Sequence, residues 1–290
     1  MFTAAVVFGF INSAMLCLLA MGFNLTFGVS GVANFAYGAF YVLAAFGTWI
    51  LMNTLELPFV ISAILAIAST ALFSGLLYRL FLLRLRGMII SEVIVTFAMG
   101  MAILEGFRYV GFVGTQYTLP AFWDKSIPLL GVYVDAQRVT MVGIAVVSLL
   151  IFWLFTRYSG VGLSFRAIAQ DEYTAMTLGI NVDRSILLSV VFGTAYVSIA
   201  AIALTPLGNI SAMSGYGVLI NALSVCIVGG LGSTGGVILA SLLIGNVQQF
   251  TEFYLTSHGS MVVTLLAIFL VLCFKPSGLL GRHKELEERI

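Results

Sequence analysis

Residues 157–184 read RYSGVGLSFRAIAQDEYTAMTLGINVDR, and they separate two long apolar runs, 138–156 and 185–206. The charged side chains of this stretch are Arg157, Arg166, Asp171, Glu172, Asp183 and Arg184. Neighbouring elements are usually joined by only about 4 to 6 residues. A polar stretch of this length in so apolar a chain therefore needs a reason of its own, and we predict that it docks a soluble partner.

The composition places the rest of the chain in a lipid bilayer. Of the 290 residues, 61% are hydrophobic and 9% are charged, whereas about 25% are charged in an average soluble protein. Because apolar runs recur near the roughly 20 residues that a helix needs to cross the hydrocarbon core, we predict an all-α integral membrane protein forming one domain, 1–290. About eight segments are expected: 4–22, 34–52, 59–81, 88–111, 138–156, 185–206, a broken segment 218–254, and 261–274.

The positive charges predict which side each connection faces, because cytoplasmic connections carry an excess of Lys and Arg. Ten of the 13 basic residues lie in three regions: Arg79, Arg84 and Arg86; Arg157, Arg166 and Arg184; Lys275, Arg282, Lys284 and Arg289. We expect these regions and the C-terminus to be cytoplasmic, and the connection 112–137 and the N-terminus to face outward. Since no basic residue precedes Arg79, we expect no cleavable signal and a first run that stays as a span.

The segment 218–254 is predicted to be broken, because this orientation requires it to enter and leave on the outer side. Its middle, 228–236, reads VGGLGSTGG, and a glycine inside a helix costs about 1 kcal/mol relative to alanine. A phosphate-binding loop is excluded, since the required lysine is absent. Two uses remain open. One is close helix packing through small residues: Gly229, Gly232, Gly236, Ala240 and Ser241. The other is a break that lines or gates a pathway, formed by Gly229, Gly230, Gly232 and Gly235.

A second uncharged stretch, 22–38, joins the first two segments and reads GFNLTFGVSGVANFAYG. A cytoplasmic turn normally carries a charge, so we expect this junction to be tucked into the protein. Asn24, Ser30 and Asn34 would then bind irregular backbone and line or gate the pathway. The alternative is a short polar turn that is neutral.

The stretch 157–184 is predicted to form one or two short amphipathic helices at the cytoplasmic surface. Helical spacing places four apolar side chains on one face: Phe165, Ile168, Ala169 and Met176. Gly179 is expected just past a helix end, and Asp183 is expected to cap the next span. The alternative is a helix that rests on the bilayer without a partner, although mixed charges favour a protein over anionic lipid.

Charges inside the predicted spans are few, which disfavours a proton- or ion-coupled carrier. Glu92 and Glu252 lie near span ends, and Glu105 can pair with Arg108 three positions away. The two histidines lie outside the spans and no metal-ligand spacing occurs, so we expect no catalytic site, metal or cofactor.

Taken in order, these segments resemble the smaller permease of the branched-chain amino-acid ABC importers. The matching stretches are GFNLTFGVSGVANFAYGAF at 22–40, the charged stretch 157–184, VGGLGSTGGVILASLLIG at 228–245 and FKPSGLLG at 274–281. The resemblance covers almost the whole chain. The glycine-rich stretch alone would be weak evidence for this family, since sugar permeases of related architecture have a similar stretch.

The resemblance implies a subunit without an ATPase of its own, in the prokaryotic plasma (inner) membrane. Its expected partners are a homologous second permease or a second copy, two cytoplasmic ATP-binding subunits and an extracytoplasmic binding protein. Branched-chain or other hydrophobic amino acids are the default substrates, and relatives move urea, short amides and aromatic or other carboxylic acids. The stretch 157–184 would couple to the ATPases through Arg166, Ala169, Asp171, Glu172, Met176, Gly179, Asp183 and Arg184. The alternative function is a stand-alone secondary carrier.

Overall fold

The computed structural model describes residues 2–112, 117–123, 125–129, 131–254 and 259–281. Three basic residues of the predicted cytoplasmic C-terminus therefore lie outside the described residues: Arg282, Lys284 and Arg289. The described part of the chain is helical apart from turns, connections and one short β-hairpin.

The helices are α1 (Phe2–Ser30), α2 (Tyr37–Thr54), α3 (Phe59–Leu80), α4 (Ile89–Tyr109), α5 (Ala136–Tyr158), α6 (Gly160–Gln170), α7 (Glu172–Thr177), α8 (Val182–Leu204), α9 (Ser214–Gly229), α10 (Thr234–Tyr254) and α11 (Gly259–Phe274). Two 3-10 turns cover Leu82–Arg84 and Thr205–Leu207. Strands β1 (Ser126–Leu129) and β2 (Val132–Asp135) pair antiparallel, with Ser126 opposite Asp135. This hairpin, in the connection predicted to face outward, was not predicted.

Each predicted apolar segment is helical, and the main difference is that α1 continues to Ser30. By length and composition α1, α3, α4, α5 and α8 can cross a membrane, and the bent pair α9 and α10 makes a sixth candidate. Helices α2 and α11 are shorter or less apolar, with 18 and 16 residues. The fold is therefore that of an all-α, multi-pass membrane protein, and the number eight stays a prediction.

Several serine and threonine hydroxyls inside these helices bond to the backbone of their own helix, which makes them tolerable in an apolar environment. Thr26, Thr48 and Ser198 each donate to the carbonyl four residues earlier, at 2.8 to 3.2 Å. The polar side chains therefore leave the helices intact.

Helix α1 is the centre of the packing, with its residues from Leu16 to Thr26 buried. It runs antiparallel to α8, since Gly22 faces Gly193 and the Thr26 hydroxyl donates to the Ser189 carbonyl one turn away. It also runs antiparallel to α10, where Asn12 donates to the Gly245 carbonyl at 3.2 Å and Asn24 lies beside Gly232.

The helix contacts repeat between the two halves of the chain. Helix α1 packs against α8 and α10, while α8 packs against α1 and α3; α2 and α9 pack against each other. The sets α1–α4 and α8–α11 therefore occupy equivalent places, and they run in opposite directions because α1 and α8 are antiparallel. This is the arrangement of an inverted repeat, a common plan for membrane transporters.

Candidate functional site: the charged segment and the broken helix

The charged stretch forms two helices, α6 and α7, that meet at Asp171. The Ser159 hydroxyl accepts from the Gly162 amide at 2.9 Å and caps the start of α6. The Asp171 carboxylate accepts from the amides of Tyr173 and Thr174, at 2.9 and 3.3 Å, and caps the start of α7. An aspartate that satisfies two free amides makes a strong helix start, so the chain bends here instead of continuing.

The side chains buried on the inner face of α6 are those that were predicted, whereas the residue buried in α7 is a different one. Phe165 and Ile168 are buried, and the Phe165 ring lies against those of Phe155 and Phe192. Met176 was predicted to share this face, but its side chain is 44% exposed. Ala175 is buried instead, because the bend at Asp171 changes the phase between the two helices.

The outer face of this segment combines charged and apolar side chains. Of the predicted coupling residues, Ala169 and Glu172 are half-buried, and the others are exposed: Arg166, Asp171, Met176, Gly179, Asp183 and Arg184. Three large apolar side chains that the sequence reasoning missed lie at the same surface, with exposed fractions of 59%, 71% and 75%: Leu163, Tyr173 and Leu178. Protein interfaces typically place such apolar anchors within a polar rim.

The corner after α7 follows the predicted glycine, but the next helix cap differs from the prediction. Gly179 has a φ of +84°, a conformation that favours glycine, and Ile180 donates to the Ala175 carbonyl at 3.1 Å. Asp183 is not the cap of α8. The Asn181 side chain accepts from the Arg184 amide at 3.0 Å, because Asn181 is the residue immediately before the helix.

Arg86, in the connection between α3 and α4, reaches this segment from another part of the chain. Its guanidinium contacts the carboxylates of both Glu172 and Asp183. The sequence placed Arg86 only in a cytoplasmic charge cluster, and no local pattern could reveal this long-range contact.

The glycine-rich stretch breaks the helix as predicted, with α9 and α10 bent by 114°. Gly230 and Gly232 have φ values of +97° and +82°, which side chains rarely adopt. A Cβ on Gly236 would overlap the carbonyl of Gly229, so close packing requires small residues here. Gly235 is exposed, and a Cβ added there would make only an ordinary van der Waals contact.

Asn24 connects this break to α1. It is 3% exposed, and its side-chain oxygen accepts from the Gly232 amide at 2.8 Å. The two uncharged stretches that the sequence singled out therefore meet at one point.

The end of the described chain also binds the break. The amides of Leu279 and Leu280 donate to the carbonyls of Val228 and Gly229, at 2.8 and 3.0 Å. These carbonyls belong to the last turn of α9, where a helix lacks internal partners. The stretch 274–281 was noted only for its family resemblance, so this capping role was missed.

The junction between α1 and α2 is mostly buried or half-buried, as predicted, although Gly31 is exposed. Ser30 donates to the Thr26 carbonyl at 2.8 Å, and Asn34 accepts from the Ala36 amide at 3.1 Å. Tyr37 is buried and donates to the Leu19 carbonyl at 2.8 Å. The chain thus turns back toward the middle of α1 before α2 begins.

The intramembrane charges have local partners. Glu105 and Arg108 pair at 2.9 Å, as predicted. Glu92 accepts from the Gly87 amide at 3.1 Å, and Gln249 donates to Glu252 at 3.2 Å. These contacts explain the charges without a proton relay.

An apolar cavity of about 430 Å³ lies beside α1, α5, α10 and β1. It is lined by Val7, Phe10, Ile11, Ser13, Ala14, Cys17, Leu129, Val139, Val142, Leu149, Ile238, Ser241 and Leu242. The hydroxyls of Ser13 and Ser241 already donate to backbone carbonyls, at 2.7 and 2.8 Å. The lining has no charged group for the ammonium and carboxylate of a free amino acid.

These features define a multi-pass membrane protein in which α6 and α7, between the long helices α5 and α8, form a mixed polar and apolar surface. Residues 5–272 match the family model of the branched-chain amino acid transport system permease component. The chain therefore belongs to this family of ABC transporter permeases.

Curated relatives extend over nearly the whole chain. The high-affinity branched-chain amino acid permease protein LivH of Salmonella typhimurium is 25% identical over 284 residues, covering 91% of both chains. BraD of Pseudomonas aeruginosa is 28% identical over 282 residues, with the same coverage. LivM of Salmonella typhimurium is 25% identical over 292 residues, covering 91% of this chain and 67% of LivM.

A solved structure shares the fold. PsaBC from Streptococcus pneumoniae in complex with Fab superposes with a TM-score of 0.52 at 17% identity, covering 91% of this chain and 89% of the other.

Proposed function

We propose that this chain is the permease subunit of an ABC importer for branched-chain or other hydrophobic amino acids. In this proposal it receives substrate from an extracytoplasmic binding protein, and separate cytoplasmic subunits hydrolyse ATP. The observation that carries the proposal is the match of residues 5–272 to the permease family.

A second permease is the expected membrane partner. The chain is similar both to LivH and to LivM, two differently named permease proteins of one transport system. We propose that two homologous permeases pair, with the substrate path between or through them. Asn24, Ser30, Asn34 and the glycines of the break, Gly229, Gly230, Gly232 and Gly235, are the proposed pathway or gating residues.

The proposed coupling surface is the outer face of α6 and α7, within the stretch 157–184. ATP binding would close the ATPase pair and move this surface. Because α8 follows it directly and packs against α1, α2 and α3, movement of the surface would reach the helices that enclose the pathway.

The proposed orientation has eight membrane segments, an outer N-terminus and a cytoplasmic C-terminus, in the prokaryotic plasma (inner) membrane. Support comes from the basic residues near α6 and α7 and from Lys275 after α11. One permease domain, 1–290, would contain all these parts.

Reconstitution tests the proposal. The chain is assembled with its candidate second permease and ATPases in proteoliposomes, and uptake of radiolabelled leucine and other amino acids is measured with the binding protein. We expect uptake only when ATP and all components are present. Uptake by this chain alone, driven by an ion gradient, would contradict the proposal and favour a secondary carrier.

A further inference from the structure

Arg86 forms an ion-pair network unlike the others in the described part of the chain. The other salt bridges there join side chains three positions apart: Glu105 with Arg108, and Asp135 with Arg138. The Arg86 guanidinium instead bridges Glu172 of α7 and Asp183 of α8. One side chain thus connects three separate elements.

The connection that carries Arg86 is itself held in place. Leu82 is buried, and Gly87 has a φ of +92°. The Gly87 amide donates to the Glu92 carboxylate at 3.1 Å, which fixes the connection to the first turn of α4. The guanidinium therefore starts from a defined position, which lowers the entropy lost in forming the network.

Each of the two carboxylates lies at the start of a helix. Glu172 is in the first turn of α7 and Asp183 is in the first turn of α8, positions where the helix dipole favours negative charge. The side chains of Arg86 and Glu172 are each 26% exposed. An exposed single pair contributes little, but a half-buried arginine that contacts two carboxylates is a stronger and more directional link.

We propose that Arg86 is a positioning residue for energy coupling: it holds α7 and the start of α8 to the α3–α4 connection, so that these elements move together. This inference rests on the proposed function, because it requires the surface of α6 and α7 to receive the ATPase. A second contact supports it, since Gly75 of α3 lies against Val191 of α8. Movement imposed on α7 would then reach α3 and α8 as one unit.

The reconstituted importer tests this role through the number of substrate molecules taken up per ATP hydrolysed. A merely structural residue would change the amount of complex but not this ratio. We expect Arg86→Gln to lower the ratio at least about fivefold, the lower end of typical coupling between sites. Arg86→Lys should lower the ratio less, because a lysine keeps one of the two charged contacts. The matched control is Arg84→Gln, since Arg84 is exposed in the same connection and should keep the wild-type ratio.

A double variant tests whether Arg86 acts through the network. Glu172→Gln should also lower the ratio, and the double variant Arg86→Gln with Glu172→Gln should be no worse than Arg86→Gln alone. If Arg86→Gln is not recovered in membranes, Glu172→Gln and Asp183→Asn are combined, and a wild-type ratio in that pair overturns the proposal.

The remaining outcomes reject either the positioning role of Arg86 or the proposed function itself. A wild-type ratio in Arg86→Gln, or a double variant whose loss is the product of the single losses, overturns the positioning role. A wild-type complex without ATP-dependent uptake rejects the proposed function instead.

Discussion

Individual glycines set how closely the two central helices approach. A Cβ on Gly193 would lie 2.7 Å from the carbonyl oxygen of Gly22 and would also overlap the Thr26 hydroxyl. Because the obstacle is partly backbone, it cannot move away as a flexible side chain could.

We therefore expect Gly193→Ala to force α1 and α8 apart and to destabilise the protein by about 1–3 kcal/mol, as overpacking commonly does. The thermal unfolding midpoint of the purified protein measures this. Gly143→Ala is the matched control, since Gly143 is also helical, and nothing lies within 4 Å of its added Cβ. Equal midpoints for the two variants would contradict the close crossing.

Asn24 makes the hydrogen bond that joins the break to α1. Asn24→Leu would remove the hydrogen bond to the Gly232 amide, and a hydrogen bond contributes about 0.5–1.5 kcal/mol. We expect a lower unfolding midpoint and reduced uptake. Asn53→Leu is the control, because Asn53 is exposed and bonds only within its own helix. A loss of similar size in both variants would show that the contact with Gly232 has no special role.

At the scale of elements, Asp171 separates α6 from α7 and sets the shape of the proposed coupling surface. Asp171→Ala removes the acceptor for two amides and should cost about 1 kcal/mol of local helix stability. We expect this variant to hydrolyse ATP while transporting poorly, measured as uptake per ATP in proteoliposomes.

Asp171→Asn separates the cap from the charge, since asparagine caps helices about as well. It should keep most of the coupling. Equal losses in both variants would mean that the negative charge, and not the bend, is what the partner requires.

The sequence predicted elements well and their contacts poorly. Apolar runs placed every long helix, because a bilayer demands about 20 apolar residues whatever lies beside them. Small residues and uncharged junctions also indicated the break and the tucked connection. The predicted burial of Met176 was wrong, because it assumed one continuous helical period. The Asp171 carboxylate caps a new helix and interrupts that period. The contacts of Arg86 and of Leu279 could not be predicted, since they join parts of the chain that are far apart in sequence.

At the scale of the whole molecule, helix α5 can cross the membrane, and it lies between the hairpin and α7 in the chain, so these two elements should lie on opposite sides of the membrane. Tyr133 and Leu178 are 76% and 75% exposed, so a cysteine at either position should be accessible. In a Cys273→Ser background, an impermeant thiol reagent added to intact cells should label Tyr133→Cys, and should label Leu178→Cys only after permeabilisation. The reverse pattern would invert the orientation that the basic residues predict.

In the proposed importer, the exposed surface of α6 and α7 receives an ATPase subunit. A photo-crosslinking amino acid at position 178 of the assembled complex, irradiated in membranes, tests it most directly, with the same amino acid at position 133 as the control. We predict that the 31.1 kDa chain crosslinks to an ATPase subunit from position 178 and not from position 133. An assembled complex in which position 178 crosslinks only to lipid, or in which only position 133 reaches the ATPase, would contradict the claim.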